Sequence, residues 1–450
     1  MIAGTLFSTT SAFAAEQDYT NMTSQDQNST GVSITQNHQN DDAGSIVQDG
    51  RDKKAKQKQR LALWTEQTQY TNGYFLGQSQ TANSFSNLNQ NADGNENSQE
   101  QTTDVTETQN QTGSGNFISQ TQDSVTNSNL SQDSSGNTSS QYQDNNNEID
   151  QIKEAYGNGI GQSQDSSNSN SQTQDLTGED NLQDQLIYND TDEQQSADGR
   201  ILFGGLIGQT QESEQTNNQT QVTDGNSNWS YQDIYNYIGH NQDAFGLLIN
   251  QGQYSNGYTQ QLSEVLGLNN DADQYSYHFT NQDQTAEAIG AFQDQTASNS
   301  VTQDTSIDGD ENYVIKDVET DTTQTQTGNT GSGQTQSSDN TADQSGVVTG
   351  DNISLDQIVY DEANQSQSGE AALQDQTSVN TNTQEAVISG ENTSALQDST
   401  NYSEQTQTGE LAGQRQFSDV ESNQSSTSNG RNITQSQSSN STIVQSQNAR

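Results

Sequence analysis

The side chains that could do chemistry in this chain are carboxylates and amides, and their spacing separates the two. There are 61 Asp and Glu against 12 Lys and Arg and three His, and no cysteine. Paired carboxylates can serve glycoside hydrolysis or hold calcium. Asp271 with Asp273 and Asp308 with Asp310 are the pairs best spaced for a cation. No EF-hand-like loop or glycine-rich calcium repeat surrounds them, so they read as solvated turn carboxylates. His38, His240 and His278 share no ligand spacing, and the missing thiols remove thiolate metal sites and disulfides alike. Nucleophile elbows, phosphate loops and zinc motifs are absent. The expectation is a non-enzyme with no cofactor and no bound metal.

The amides are spaced far more regularly. Gln recurs at 57, 78, 99, 120, 141, 162 and 183, in steps of 21 residues. A second series half a period away holds Gln67, Gln109, Gln151 and Gln172, with Leu88 and Leu130 filling its gaps. The phase slips farther on while the period persists, as in Gln209, Gln251 and Gln293. Within each unit the pattern is Gln-x-Gln, as in Gln120-Thr-Gln122 and Gln162-Ser-Gln164, with an aliphatic such as Ile118 or Ile160 two residues earlier. Period-two alternation puts Ile118, Gln120 and Gln122 on one face and Ser, Thr or Asp on the other. A buried Gln needs its amide satisfied, and stacking Gln on Gln at the strand spacing of about 4.8 Å does so.

These residues need elements that repeat. The spacing predicts an all-β solenoid of about 21-residue coils with two strands each. Strands of roughly five to six residues are joined by Gly and Asn turns such as Asn72-Gly73, Gly115-Asn116, Gly136-Asn137 and Gly157-Asn158. Some 20 coils would span about 95 Å. Composition agrees. Only 25% of residues are hydrophobic, against roughly 45–50% in globular proteins, which argues against an oil-like core. Proline, common in disordered polar chains and hostile to β-ladders, is absent.

The net charge of −49 argues against nucleic acid and anionic membranes as partners. Half of the cations stand in one run, Arg51, Lys53, Lys54, Lys56, Lys58 and Arg60, which reads as an exposed loop or a docking strip for acidic neighbours. The start of the sequence, with Ala12-Phe13-Ala14 after a short apolar stretch, reads as a signal peptide truncated at its basic end. No segment has the apolar length of a membrane span. The expected organisation is a signal peptide at 1–14, first coils at 15–50, a basic patch at 51–60, regular coils at 61–225, aromatic-rich degenerate coils or an insertion at 226–280, and further coils at 281–450. Tyr313-Val-Ile-Lys-Asp-Val318 reads as a strand lacking its Gln.

Three segments carry a family resemblance. They are Asn28 through Gln36 and on to Gln48, Gly115-Asn-Phe-Ile-Ser-Gln120, and Gly430-Arg-Asn-Ile-Thr-Gln435 through Gln445. Each resembles the curlin repeat, in which a Ser or Asn precedes alternating aliphatics, Gln, a Gly/Asn turn and a second Gln. The resemblance implies a bacterial secreted subunit that polymerises with itself into extracellular amyloid-like fibres of a biofilm matrix or cell sheath, helped by secretion and nucleation factors. The alternative is a monomeric solenoid adhesin or ice-binding protein, for which Thr323-Gln-Thr-Gln-Thr327 is the nearest feature. Outward Asp184, Asp283, Asp294 and Asp375 would keep the subunit soluble until export.

Overall fold

The computed structural model describes the backbone except at residues 1–2, 10–13, 52–53, 94–95, 115–116, 136–137, 158, 178, 181, 200–205, 289, 329–332, 371–372, 411–412 and 450, and side chains mainly from Leu61 onward. The strands are β1 (Ala3–Thr9), β2 (Ala14–Arg51), β3 (Lys54–Asp93), β4 (Glu96–Ser114), β5 (Phe117–Ser135), β6 (Thr138–Gly157), β7 (Gly159–Thr177), β8 (Leu182–Gly199), β9 (Leu206–Asp224) and β10 (Trp229–Phe245). They continue as β11 (Leu248–Leu266), β12 (Asp271–Glu287), β13 (Gly290–Asp308), β14 (Tyr313–Gly328), β15 (Gly333–Thr349), β16 (Ser354–Glu370), β17 (Leu373–Glu391), β18 (Ser394–Glu410), β19 (Gly413–Arg431) and β20 (Thr434–Ala449). No helix occurs among the described residues.

From β4 onward each strand pairs in parallel with the next but one, β5 with β7, β7 with β9, β6 with β8 and β8 with β10. The chain therefore winds as a β-solenoid of two layers, an odd-numbered sheet facing an even-numbered one. The aromatic-rich stretch follows the same rule, since Trp229–Phe245 pairs along its whole length with strands on both sides.

The coil is larger than the spacing of 21 suggests. Strands β4 to β20 run from 16 to 20 residues, and partners stand 42 apart, as Gln120 to Gln162. One coil thus has two strands of nearly full half-period length, and a step of 21 leads to the facing sheet instead of the next rung. The short strands fail for a physical reason. Asn and Ser at mid-unit point inward and bond to one another, so the strand runs on through them, as Asn147 Nδ2 to Asn189 Oδ1 at 3.1 Å and Ser166 Oγ to Ser213 Oγ at 3.1 Å. With no break at mid-unit, the chain makes about ten coils and spans about 48 Å. The phase slips are changes in coil length, from 42 to 47 residues at Gln162–Gln209, then to 41 at Gln293–Gln334 and 40 at Gln334–Gln374.

Of the expected turns, Gly115, Asn116, Gly136, Asn137 and Asn158 lie outside the described residues, and Gly157 closes β6. Asn72 and Gly73 are inside β3, where the partner changes from β4, ending at Asn72, to β5, beginning at Phe75. In the expected signal peptide, 3–9 form β1 against Ala43–Asp49, while the cleavage residues Ala12 and Phe13 lie outside the described residues.

At one edge the turns stack. Gly225, Gly267, Gly309, Gly350, Gly390 and Gly430 all have positive φ, and a Cβ on Gly309 would lie 1.6 Å from the Gly267 carbonyl oxygen. Two residues on, Ser227, Asn269, Glu311, Asn352, Asn392 and Asn432 take φ between 54° and 61°, a region Asn tolerates. Aliphatic columns seal the interior at both edges. Leu76, Ile118, Ile160, Ile207 and Ile249 line one, and Val265, Ile307, Val348 and Ile388 the other. Between them the core is mainly polar, with two smaller aliphatic clusters, one around Leu88 and Leu130 and one around Val301 and Val318.

Candidate functional site

The glutamine columns are the repeated chemical feature. In the odd sheet, Gln120 Nε2 donates to Gln78 Oε1 at 2.7 Å, and the same bond recurs at 2.8–3.0 Å through Gln162, Gln209, Gln251, Gln293, Gln334, Gln374 and Gln414. From Gln120 onward every amide of this column donates to the rung before it. A glutamine amide also reaches across the core, as when Gln174 donates to Gln132 Oε1 at 3.0 Å and to the Asp184 carbonyl at 3.1 Å, and Gln221 to Gln174 Oε1 at 3.2 Å and to the Tyr231 carbonyl at 2.9 Å. Each Gln thereby joins neighbours within its sheet and bridges the two sheets, which accounts for an amide core in a chain with few apolar residues.

The sequence-derived series falls into separate columns. Gln78, Gln120 and Gln162 stack in the odd sheet; Gln99, Gln141 and Gln183 stack in the even sheet, with bonds of 2.9 and 3.1 Å. Gln57 is in backbone register with Gln99, and its side chain lies outside the described residues. Gln67, Gln109 and Gln151 form another even-sheet column, with bonds of 3.3 and 3.2 Å. Gln172 belongs to the odd sheet, above Leu88 and Leu130, and accepts from Gln219 at 3.1 Å. The alternation of Gln and Leu in that second series is the alternation of the two sheets.

The ionisable residues Lys153, Lys316, Glu193, His240, Asp361 and His278 occupy positions in the polar columns, and a 21-residue reading missed the columns that hold them. Lys153 stands between Gln111 and Gln195, and Lys316 between Gln274 and Gln357. Both are fully buried and donate to backbone carbonyls, Lys153 to Ser163 and Lys316 to Gln303 at 3.0 Å and to Ser345. Burial pushes the Lys153 amine well below its usual range, against the pull of Glu193 and Asp123, and brings Lys316 down to about 7. Comparing each residue with those 42 away exposes both lysines. The strand that lacked its Gln, 313–318, has Lys316 in the glutamine position.

Glu193 and His240 succeed Gln151 in one column, before Gln282 restores the amide. Ser166 Oγ donates to Glu193 Oε1 at 2.7 Å, and Glu193 Oε2 is 3.7 Å from His240 Nε2. Gln151 Oε1, Glu193 Oε2 and both His240 nitrogens lack hydrogen-bond partners. Burial raises Glu193 to about 8 and lowers His240 to about 3. A protonated glutamic acid has one donor and one acceptor oxygen, so neutral Glu193 imitates the glutamine whose place it takes. Asp361 does the same among shorter side chains, between Thr320 and Asn401, with burial lifting it to about 7. His278 stands in the same column, with Thr259 Oγ1 2.7 Å from its Nε2, and is held near 3 by burial. These groups are sealed from solvent and enclose no substrate-sized space.

Outside, the even sheet carries tyrosines beside carboxylates. Tyr188 donates to Asp190 at 3.4 Å, Tyr360 to Glu362 at 2.6 Å and Tyr402 to Glu404 at 2.7 Å. Among the described residues no group of three or more His, Cys, Asp or Glu could hold a metal ion, and no helix is long and apolar enough to cross a membrane. The chain matches no family model, no curated protein and no solved structure. What the fold and its columns define is a two-layer β-solenoid with a hydrogen-bonded amide core.

Proposed function

We propose that this chain is a structural subunit that stacks end to end into extracellular amyloid-like fibres of a biofilm matrix or cell sheath. One observation carries the reading. Successive coils keep one parallel register through the last described strands, and each coil's glutamines donate to the rung before, as Gln424 to Gln384 at 2.9 Å and Gln445 to Gln405 at 2.8 Å. A coil of a second copy can add by the same parallel pairing and amide bond that join one coil to the next. The resemblance to curlin repeats supports the same reading.

Outward carboxylates oppose this growth. Burial raises Asp184, with Asp144 beside it adding repulsion. A further coil would add burial and like charge, so the assembled state holds more protons and growth strengthens as pH falls. The test is electron microscopy and fibre diffraction on purified chain at about pH 4.5 and about pH 8. Filaments with a meridional spacing of about 4.8 Å, an axial rise per subunit of about 48 Å and faster growth at the lower pH are expected. A persistent β-rich monomer at both pH values would overturn the reading in favour of a monomeric adhesin.

A further inference from the structure

We propose that the outer face of the even-numbered sheet is a docking surface for the basic run at residues 51–60 of a second copy of this chain. The contact lies sideways to the solenoid axis and does not need end-to-end stacking. Aromatic rings cluster there on successive rungs. Tyr188 and Tyr235 lie 5.0 Å apart with rings 2° from parallel, Tyr231 and Tyr275 are 5.4 Å apart, and Tyr235 and Phe279 are 5.5 Å apart. All three pairs lie on this face.

Carboxylates are interleaved with the rings. The column through Tyr237 and Phe279 reads Glu148, Asp190, Tyr237, Phe279, Asp321, Glu362 and Tyr402 in consecutive rungs. Asp233, Asp273 and Asp321 each keep one Oδ1 atom out of water and without a hydrogen-bond partner. All three are held near 6, chiefly by burial, and no cationic side chain is found beside them on this face among the described residues. The strands β4 to β18 of this sheet contain only two Lys or Arg residues, Lys153 and Lys316, and both point into the core. A shallow groove runs past the rings, lined by Tyr235, Tyr237, Phe279, Asn281, Asp321 and Thr323.

An ammonium or guanidinium group is stabilised by a ring face and by a carboxylate, and here the two are neighbours. The occupant must therefore be cationic, and its spacing can be matched. Outward residues on one strand, such as Asp233, Tyr235 and Tyr237, alternate with inward ones and stand about 7 Å apart. Lys54, Lys56, Lys58 and Arg60 alternate in the same way, and an extended segment carries them at the same interval. The run holds half of the chain's cations in a molecule of net charge −49, and its part from Lys54 to Arg60 lies at the start of this sheet, on β3 in register with β4. The rungs from β8 to β18, by contrast, present carboxylates and no outward Lys or Arg among the described residues.

The experiment measures binding of a synthetic peptide of sequence RDKKAKQKQR to the full chain by fluorescence anisotropy, with circular dichroism verifying the fold of each variant. Binding that weakens with salt is expected. Tyr235→Ser with Tyr277→Ser, and separately Asp233→Asn with Asp321→Asn, should each weaken it by about tenfold. Asp165→Asn with Glu212→Gln removes the same charge from the outer face of the odd sheet and should leave affinity within about twofold. No binding, equal loss in the odd-sheet variant, or full affinity in the tyrosine variant would each overturn the proposal, the last two by reducing the attraction to bulk charge. Filament formation plays no part in this readout, so failure of end-to-end stacking leaves the result interpretable.

Discussion

Two glutamine columns in the same core have had different fates. The odd-sheet column from Gln78 to Gln414 passes through nine rungs joined by eight unbroken amide bonds. The even-sheet column from Gln67 loses its amide at Glu193 and His240 and recovers it at Gln282. The backbone register does not change at the substituted rungs. Parallel pairing and the sealed edges therefore hold the coil where side-chain bonding lapses. The interrupting residues are tolerated because each either becomes neutral or reaches a carbonyl. The intact column contributes bonding; the broken one adds sensitivity to protons.

The sharpest way to break this contrast is to load the intact column with charge. Gln120→Lys, Gln162→Lys and Gln209→Lys together place three amines on consecutive rungs, and the coils should fail to form, with a loss above about 5 kcal/mol. Loss of the β-sheet signal in circular dichroism checks it. A folded triple variant would mean that lysine is as acceptable there as at Lys153, and the columns would not differ.

The broken column should respond to pH. Glu193 titrates near 8 in the folded chain, against an ordinary 4.5. Between these values the folded state holds a proton that the unfolded chain releases, so this group's contribution is full below about 4.5 and falls as pH rises toward 8. The slope is about 1.4 kcal/mol per pH unit at most. Asp361 acts with the same sign up to about 7. Glu193→Gln should match the parent near pH 4.5 and exceed it by roughly 2–4 kcal/mol near pH 8, read from urea unfolding at both values. A constant difference across pH would exclude a neutral Glu193.

Smaller still is the repair of a lysine rung. Lys316→Gln restores the amide between Gln274 and Gln357 and removes a buried amine, so stability at neutral pH should rise by about 1–2 kcal/mol. Because Lys316 is lowered to about 7, the gain should be largest below pH 7 and shrink as pH rises above it. The mildest change is Ser163→Lys on the outward side of β7, expected within about 0.5 kcal/mol of the parent by the same assay.

Much of this architecture was legible in the residues. Period-two alternation placed Ile118, Gln120 and Gln122 inside and Ser163 outside, as found. The step of 21 was real, but both halves of a coil carry nearly the same motif, so spacing alone does not separate the facing strand from the stacked one. Leu88 and Leu130, 42 apart with Gln109 between them, carried the distinction. The ionisable rungs stayed hidden because Lys153 and Glu193 look like surface residues until their columns are aligned. The tyrosine face was hidden in the same way, since Tyr188, Tyr235 and Tyr277 become neighbours only at steps of 47 and 42.

The one-way donation along the glutamine columns has a consequence for the whole rod. Each side-chain amide is a small dipole, and in a column all of them point along the axis in one sense. As in a helix, aligned dipoles sum to partial charges of opposite sign at the two ends. One end of the solenoid therefore offers amide hydrogens and the other offers oxygens, and no rotation makes them equivalent. A filament built from such rods would have a direction, with unequal growth rates at its tips and a net orientation in an electric field.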